Sequence, residues 1–265
     1  MHPVLKWFYQ WAVPHFVYPR IQTGLPWVAL LASSLLVIGL VWGLVFAPAD
    51  YQQGDAFRII YVHVPAAWLS MLVYMAMTMM AISVLVWRIQ VAELALIASA
   101  PIGAAFTLMA LFTGAIWGKP MWGAWWVWDA RLTSELILLF IYLGIFALYH
   151  AIEDKRQAAK AASLMTLVGV VNIPIIHYSV IWWNTLHQPP SLSKLDTPSI
   201  HPDMLWPLLI TLLAFKLMYL WMLMLRLRTE LLLRYPQSAW VQAIVQAMVQ
   251  AQIQPTKDKS KDNAR

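Results

Sequence analysis

The sequence predicts an all-α integral membrane protein with six transmembrane helices. Three observations carry that expectation. Of 265 residues, 61% are hydrophobic and only 11% are charged, against about 25% charged in an ordinary soluble domain. Six predominantly apolar stretches recur along the chain, each near the roughly 20 residues that a helix needs to cross a bilayer core. Lys and Arg are divided unevenly between alternate connections, the asymmetry that orients membrane helices.

The first stretch, Pro26 to Phe46, follows an aromatic, mildly basic segment, Met1 to Thr23. Ala47-Pro48-Ala49 resembles a signal cleavage site, but the apolar run before it is longer than a signal h-region, so it is read as an uncleaved span. The others run from Val64 to Val86, Leu94 to Ile116, Leu132 to Tyr149, Ala162 to Trp183 and Met204 to Leu225. Pro101 and Pro174 fall inside the third and fifth. Kinks are expected there, since neighbouring helices satisfy the carbonyls that Pro frees. Between Ala239 and Gln254, Gln242, Gln246, Gln250 and Gln254 recur four apart. This is the pattern of an amphipathic helix on membrane lipid or on a partner, or of a marginal helix with no role. Pro255 to Arg265 is polar and charged, and disorder is expected. The organisation expected is a cytoplasmic or interfacial segment, 1–25, a six-helix membrane domain, 26–225, and a cytoplasmic C-terminal helix and tail, 226–265.

With the N-terminus inside, the inner segments hold Lys6, Arg20, Arg88, Lys155, Arg156, Lys160, Arg226, Arg228, Arg234 and the cations of the tail. The outer loops hold only Arg58, Lys119, Arg131 and Lys194. Both termini are therefore expected in the cytoplasm. The formal net charge of +6 is read as this bias, with no nucleic-acid partner. The loop Tyr51 to His63, the Trp-rich segment after the third span and the loop Asn184 to Pro202 then share the outer, periplasmic face.

Several chemistries are excluded. There is no Cys, hence no disulfide, thiolate metal site or nucleophilic Cys. No P-loop, G-x-G-x-x-G or H-E-x-x-H occurs, so an ATPase would be a partner.

The segment Trp117-Gly-Lys-Pro-Met-Trp122-Gly-Ala-Trp125-Trp126-Val-Trp128-Asp129-Ala-Arg131 is the most informative in the chain. Trp anchors the membrane–water interface, usually in small belts. Five indoles interleaved with Gly also form an aromatic platform for a flat apolar ligand. His63, at the outer start of the second span, and His187, past the outer end of the fifth, lie at the depth of this segment. Singly, each reads as a polar residue at a helix end. Together, two imidazoles over an aromatic floor make a bis-His haem site. His201 competes with His187, but Pro202-Asp203 beside it reads as a helix start. His177, near Asn172 inside the fifth span, reads first as a hydrogen-bonding contact between helices. His2, His15 and His150 read as interfacial or structural. Arg58, Lys119, Arg131 and Lys194 are the outer cations available to an anionic ligand, or solvated loop charges. Arg suits carboxylates through its planar fork. Asp129 reads as an N-cap for the fourth span, or as a partner for an indole or for Arg131. Glu135, one turn further, is expected to face the bundle.

The Trp segment resembles the WWD motif of membrane haem-handling proteins that serve cytochrome c biogenesis. Larger synthetase-type members continue Asp-Pro-Lys-Glu-Thr. Here the chain continues Asp129-Ala-Arg131-Leu132-Thr133-Ser-Glu135. That form, in a short six-span chain, is similar to the haem exporter C family of the bacterial cytochrome c maturation system. The resemblance covers roughly Tyr51 to Leu225. It implies a bacterial inner-membrane protein that binds haem b non-covalently and transiently on a platform of Trp117, Trp122, Trp125, Trp126, Trp128 and Asp129. Two outer-loop histidines flank that motif in the family and correspond by position to His63 and His187, the axial ligands. Arg58 and Arg131 would take the propionates. The partners implied are a periplasmic haem chaperone, an ABC-type ATPase with its membrane subunit, and a small single-span subunit. No catalytic residue is implied, only positioning. The competing readings are a bis-His b-type cytochrome subunit of a membrane quinone oxidoreductase, and a solute permease with a Trp belt.

Overall fold

The computed structural model describes residues 9–183, 185–187 and 200–262, with side chains as far as 250. Lys194, one of the expected outer cations, lies outside the described residues, as do His2 and Lys6. The elements are α1 (Pro14–Val41), a π turn (Trp42–Phe46), a 3-10 turn (Asp55–Ile59), α2 (Ile60–Trp87), α3 (Gln90–Trp122), α4 (Ala130–Ala151), α5 (Lys155–Gly169), α6 (Asn172–Trp182), α7 (Pro202–Arg234) and α8 (Ala239–Asp262). Six helical stretches are long and apolar enough to cross a membrane: Pro14–Phe46, Asp55–Trp87, Gln90–Trp122, Ala130–Ala151, Lys155–Trp182 and Pro202–Arg234. Among the described residues there is no β-strand. The all-helical, six-span expectation is met.

α3 is the central post. Its apolar stretch is the most enclosed of the six, and that of α1 is the least. Small residues let neighbours close on it: Ala98, Ser99, Ala100, Gly103, Ala104 and Thr107 are all buried. α2, α4 and α7 pack around this surface, through Leu69, Val73 and Met77 of α2, Leu138, Tyr142 and Ile145 of α4, and Phe215 of α7. The outward surface is apolar as well: Trp27, Leu30, Phe112, Phe140 and Val168 are exposed. A bundle hydrophobic all round is built for lipid.

Two features depart from the apolar pattern. The fifth span is two helices, broken at Val170 and Val171, where a single kinked helix was expected. Pro174 stands at the third position of α6, where its missing N–H has no helical acceptor to lose. The break is covered from both sides. The Tyr74 hydroxyl donates to the Thr166 carbonyl (3.0 Å), and the Asn172 amide donates to the Ser134 carbonyl (2.9 Å). Asn172 thus does the joining work expected of His177, whose ring lies edge-on to Tyr178 and has no hydrogen bond among the described residues. Pro101, by contrast, sits within an unbroken α3. The second departure is length. α1 begins at Pro14, and α8 continues through Pro255 to Asp262.

The two ends of the bundle differ. At one, α1, α7 and α8 meet: Arg228 donates to Gln22 (3.2 Å) and the Tyr18 and Trp240 rings lie 5.6 Å apart. There Glu93 of α3 accepts from Arg234 (3.0 Å) and from Tyr149 (3.2 Å). The other end gathers the connections 47–59 and 123–129 with residues 183 and 185–187 beyond α6, and holds the Trp-rich segment.

Candidate functional site

The site is built where α3 ends. Trp117 and Trp122 belong to its last turns, so only residues 123–129 form the connection expected for the whole segment. Gly123 adopts a φ of 75°, a left-handed conformation open to Gly at little cost. Its N–H bonds the Lys119 carbonyl (3.1 Å) and closes the helix. The chain then runs non-helically to Asp129, whose Oδ1 accepts from the Leu132 N–H (2.8 Å) and starts α4.

The capping carboxylate has a second task. Its Oδ2 lies 3.3 Å from Nδ1 of His187, and both side chains are largely buried, 6% and 19% exposed. A carboxylate only accepts, so His187 carries its proton on Nδ1 and presents Nε2 as a bare lone pair. The Trp122 ring packs against this imidazole, with centroids 4.9 Å apart. Burial pushes the His187 pKa below its ordinary value, and Asp129 opposes that shift without cancelling it. The ring is therefore neutral near pH 7, the form that binds metal.

His63 is held from α3. Its Nδ1 lies 3.0 Å from the Thr113 hydroxyl, and Trp117 stands edge-on to the ring at 5.6 Å and 77°. Gly114 makes room: a Cβ there would come within 3.0 Å of His63 Cε1. Thr113, Gly114 and Trp117 share one helix face by their spacing. Trp117 is itself fixed by a bond to Gln53 (2.9 Å) and by Phe57.

His63, His187 and Arg131 lie within electrostatic range of one another. Arg131 is anchored by Nη1 to the Ile176 carbonyl of α6 (2.8 Å). Arg58 is more engaged: its Nε pairs with Asp55 (2.9 Å) and its Nη1 bonds the Gly43 carbonyl (3.2 Å). Lys119 lies over Trp125 at 6.0 Å and bonds the Gly123 carbonyl. Trp125 and Trp128 are exposed, and Trp126 packs edge-on to Trp128 at 5.3 Å. Glu135 is buried, as expected of a carboxyl facing the bundle. His201 caps α7, accepting from the Asp203 N–H, at the helix start its sequence context predicts.

These donors suit an iron porphyrin. Two imidazoles come from separate segments, and among the described residues neither Nε2 has a hydrogen-bond partner. The buried Trp126 Nε1 and Thr185 Oγ1, from the connections after α3 and α6, also lack one. Exposed indoles supply flat apolar surface and Arg131 a cation. Three groups of residues could not have been found from sequence: Thr113, Gly114 and Gln53. They lie in an apolar span or a distant loop, and nothing in their local pattern points to His63 or Trp117.

Comparison with known proteins agrees. Residues 7–242 match the family described as heme exporter protein C (CcmC). Heme exporter protein C of Haemophilus influenzae is 54% identical over 239 residues, covering 90% of this chain and 97% of that protein. The Escherichia coli strain K12 protein of the same name is 50% identical over 239 residues, covering 90% and 96%. A putative cytochrome c biosynthesis ccmC-like mitochondrial protein of Marchantia polymorpha is 47% identical over 200 residues, covering 76% and 82%. A family match across most of the chain, on a six-span bundle with two imidazoles beside its Trp segment, places this chain in the heme exporter protein C family.

Proposed function

We propose that the protein binds haem at the periplasmic face of the bacterial inner membrane and presents it to a periplasmic haem chaperone during c-type cytochrome biogenesis. The observation that carries this reading is the pair His63 and His187. They reach one end of the bundle from different segments, each with Nδ1 against an acceptor and Nε2 uncommitted. The names of the relatives, heme exporter protein C and a cytochrome c biosynthesis protein, point the same way.

The cargo is haem b, bound without thioether bonds because the chain has no Cys. His63 and His187 are its axial ligands. Trp117, Trp122, Trp125, Trp126 and Trp128 frame its faces, Asp129 orients His187, and Arg131 and Arg58 take the propionates. Arg131 is the better placed of the two, since Arg58 already spends Nε and Nη1 on Asp55 and Gly43. The chain supplies position and no acid or base: it fixes the ring so that a vinyl edge faces the chaperone's reactive side chain. The Lys/Arg asymmetry puts both termini in the cytoplasm and the Trp segment outside. An ABC-type ATPase with its membrane subunit, and a small single-span subunit, complete the assembly.

The test is the absorbance spectrum of the purified protein, wild type against His63→Ala and His187→Ala, with and without the chaperone. Each variant is expected to lose the six-coordinate signature and to regain part of it with free imidazole, while His177→Ala and His201→Ala stay like wild type. A wild-type spectrum in both His63→Ala and His187→Ala refutes the site. Tight haem with rapid quinone turnover and no transfer to the chaperone refutes the delivery role. For orientation, a reporter fused after Lys119 should register as periplasmic and one after Lys155 as cytoplasmic; the reverse pattern refutes it.

A further inference from the structure

His63 and His187 are held in different ways. Behind His187 stands a carboxylate that has no proton to give. Behind His63 stands the Thr113 hydroxyl, which could in principle donate or accept. Its own surroundings decide. The Thr113 hydroxyl lies 2.7 Å from the Met109 carbonyl and 3.3 Å from the Ala110 carbonyl, and donates its one proton there. A hydroxyl whose proton is spent has only lone pairs left. At 3.0 Å it therefore accepts from the imidazole.

A Thr inside a helix commonly bonds back to the carbonyl four residues earlier, and by itself that means little. Here the remaining lone pair meets a ring on another helix, 50 residues away. The neighbouring position is Gly114, where a Cβ would press on His63 Cε1. Trp117, one turn on, closes the ring's edge. One face of α3 thus fixes both the rotation of the imidazole and the nitrogen that carries its proton.

We infer that Thr113 is a positioning residue for haem ligation: by accepting from Nδ1–H of His63 it holds the tautomer that turns Nε2 toward the iron. This rests on the reading of His63 as an axial ligand. Outer-shell partners of ligating histidines have this role generally, and losing one weakens metal binding by about 10–100-fold. Without the Thr113 hydroxyl the imidazole N–H keeps only the Ala110 carbonyl as a nearby acceptor, and the hold on the tautomer with a bare Nε2 is weakened.

The experiment uses the full-length protein purified in detergent, titrated with haem, and read by absorbance, by the low-spin ferric signal in electron paramagnetic resonance and by midpoint potential. Thr113→Val keeps the shape of the side chain, Thr113→Ala removes the hydroxyl with less bulk, and Thr113→Ser keeps the hydroxyl. Val and Ala are expected to bind haem about 10-fold more weakly, with a diminished low-spin signal and a moved potential. Ser is expected to match wild type. If Val or Ala gives wild-type affinity, signal and potential while His63→Ala loses the low-spin signature, Thr113 does not position the ligand although ligation stands. If His63→Ala itself retains that signature, the ligand assignment falls and this inference with it.

Discussion

Replacing Asp129 by Asn tests the site at the point where fold and chemistry share an atom group. The carboxylate uses Oδ1 to accept from the Leu132 N–H at 2.8 Å and Oδ2 to accept from His187 Nδ1 at 3.3 Å. Both tasks require an acceptor. An Asn amide has one acceptor oxygen and one donor nitrogen. With its oxygen on Leu132, the cap survives, since Asn caps about as well as Asp, but an N–H then faces an N–H at His187. The imidazole escapes by moving its proton to Nε2, which removes the lone pair meant for iron. With the amide reversed, His187 is satisfied and the cap fails, at about 1 kcal/mol. The imidazole bond is longer and weaker than the cap, so the first arrangement is expected. Asp129→Asn should therefore unfold within about 0.5 kcal/mol of wild type while haem binding weakens about 10–100-fold. Asp129→Ala should lose both, haem binding and about 1 kcal/mol of stability. Haem titration followed by absorbance, beside thermal unfolding of the apo form in the same detergent, separates the two. Asp129→Asn binding haem like wild type with an unchanged melting point would refute the shared-carboxylate argument.

Three further outcomes follow from the geometry. Gly114→Ala should weaken haem binding several-fold, because its Cβ would stand 3.0 Å from His63 Cε1, while apo stability holds or rises by up to about 1 kcal/mol from better helix propensity; a haem titration and a melting curve read both. Tyr74→Phe strands the Thr166 carbonyl at the α5–α6 break, and should cost about 1–3 kcal/mol of stability, with amide exchange faster in α5 than in α2. The pKa of His187 is depressed chiefly by burial, so the neutral ligand persists below its ordinary titration range. Haem binding between pH 7.5 and 6.0 should fall by less on account of His187 than the about fourfold that an imidazole titrating at about 6.5 would cost. The sign for folding is separate: the unfolded chain protonates first, so apo stability is full above about pH 6.5 and declines as pH falls below it.

The six spans were legible because lipid imposes a length and a composition that survive any detail of packing. That the start of the second span with His63, the Trp segment and the stretch with His187 gather at one end followed from counting the spans. Helix bounds were less legible, since an apolar stretch marks what lipid covers while the backbone continues beyond it, as at Pro14 and Asp262. The break at Val170 was read as a kink because Pro174 looks the same in sequence whether it bends a helix or begins one. Asp129 was legible as a cap, but its second oxygen was not: His187 lies 58 positions away. Thr113 left no trace at all, being one hydroxyl in an apolar run.

The length of α3 has a further consequence. The 33 residues of α3 extend roughly 50 Å at 1.5 Å per residue, against a hydrocarbon core of about 30 Å. Shared between two ends, the surplus is about 10 Å at each, enough to pass through one headgroup layer. With α3 centred on the core, Trp117 and Trp122, in the last turns, would stand in that layer. A flat molecule with an oily face and two carboxylates comes to rest at the same depth unaided, rings among the acyl chains and acids in the water. If His63 and His187 hold it as proposed, it would reach them sideways, along the plane of the membrane, without ever being wholly dissolved in water or wholly in oil.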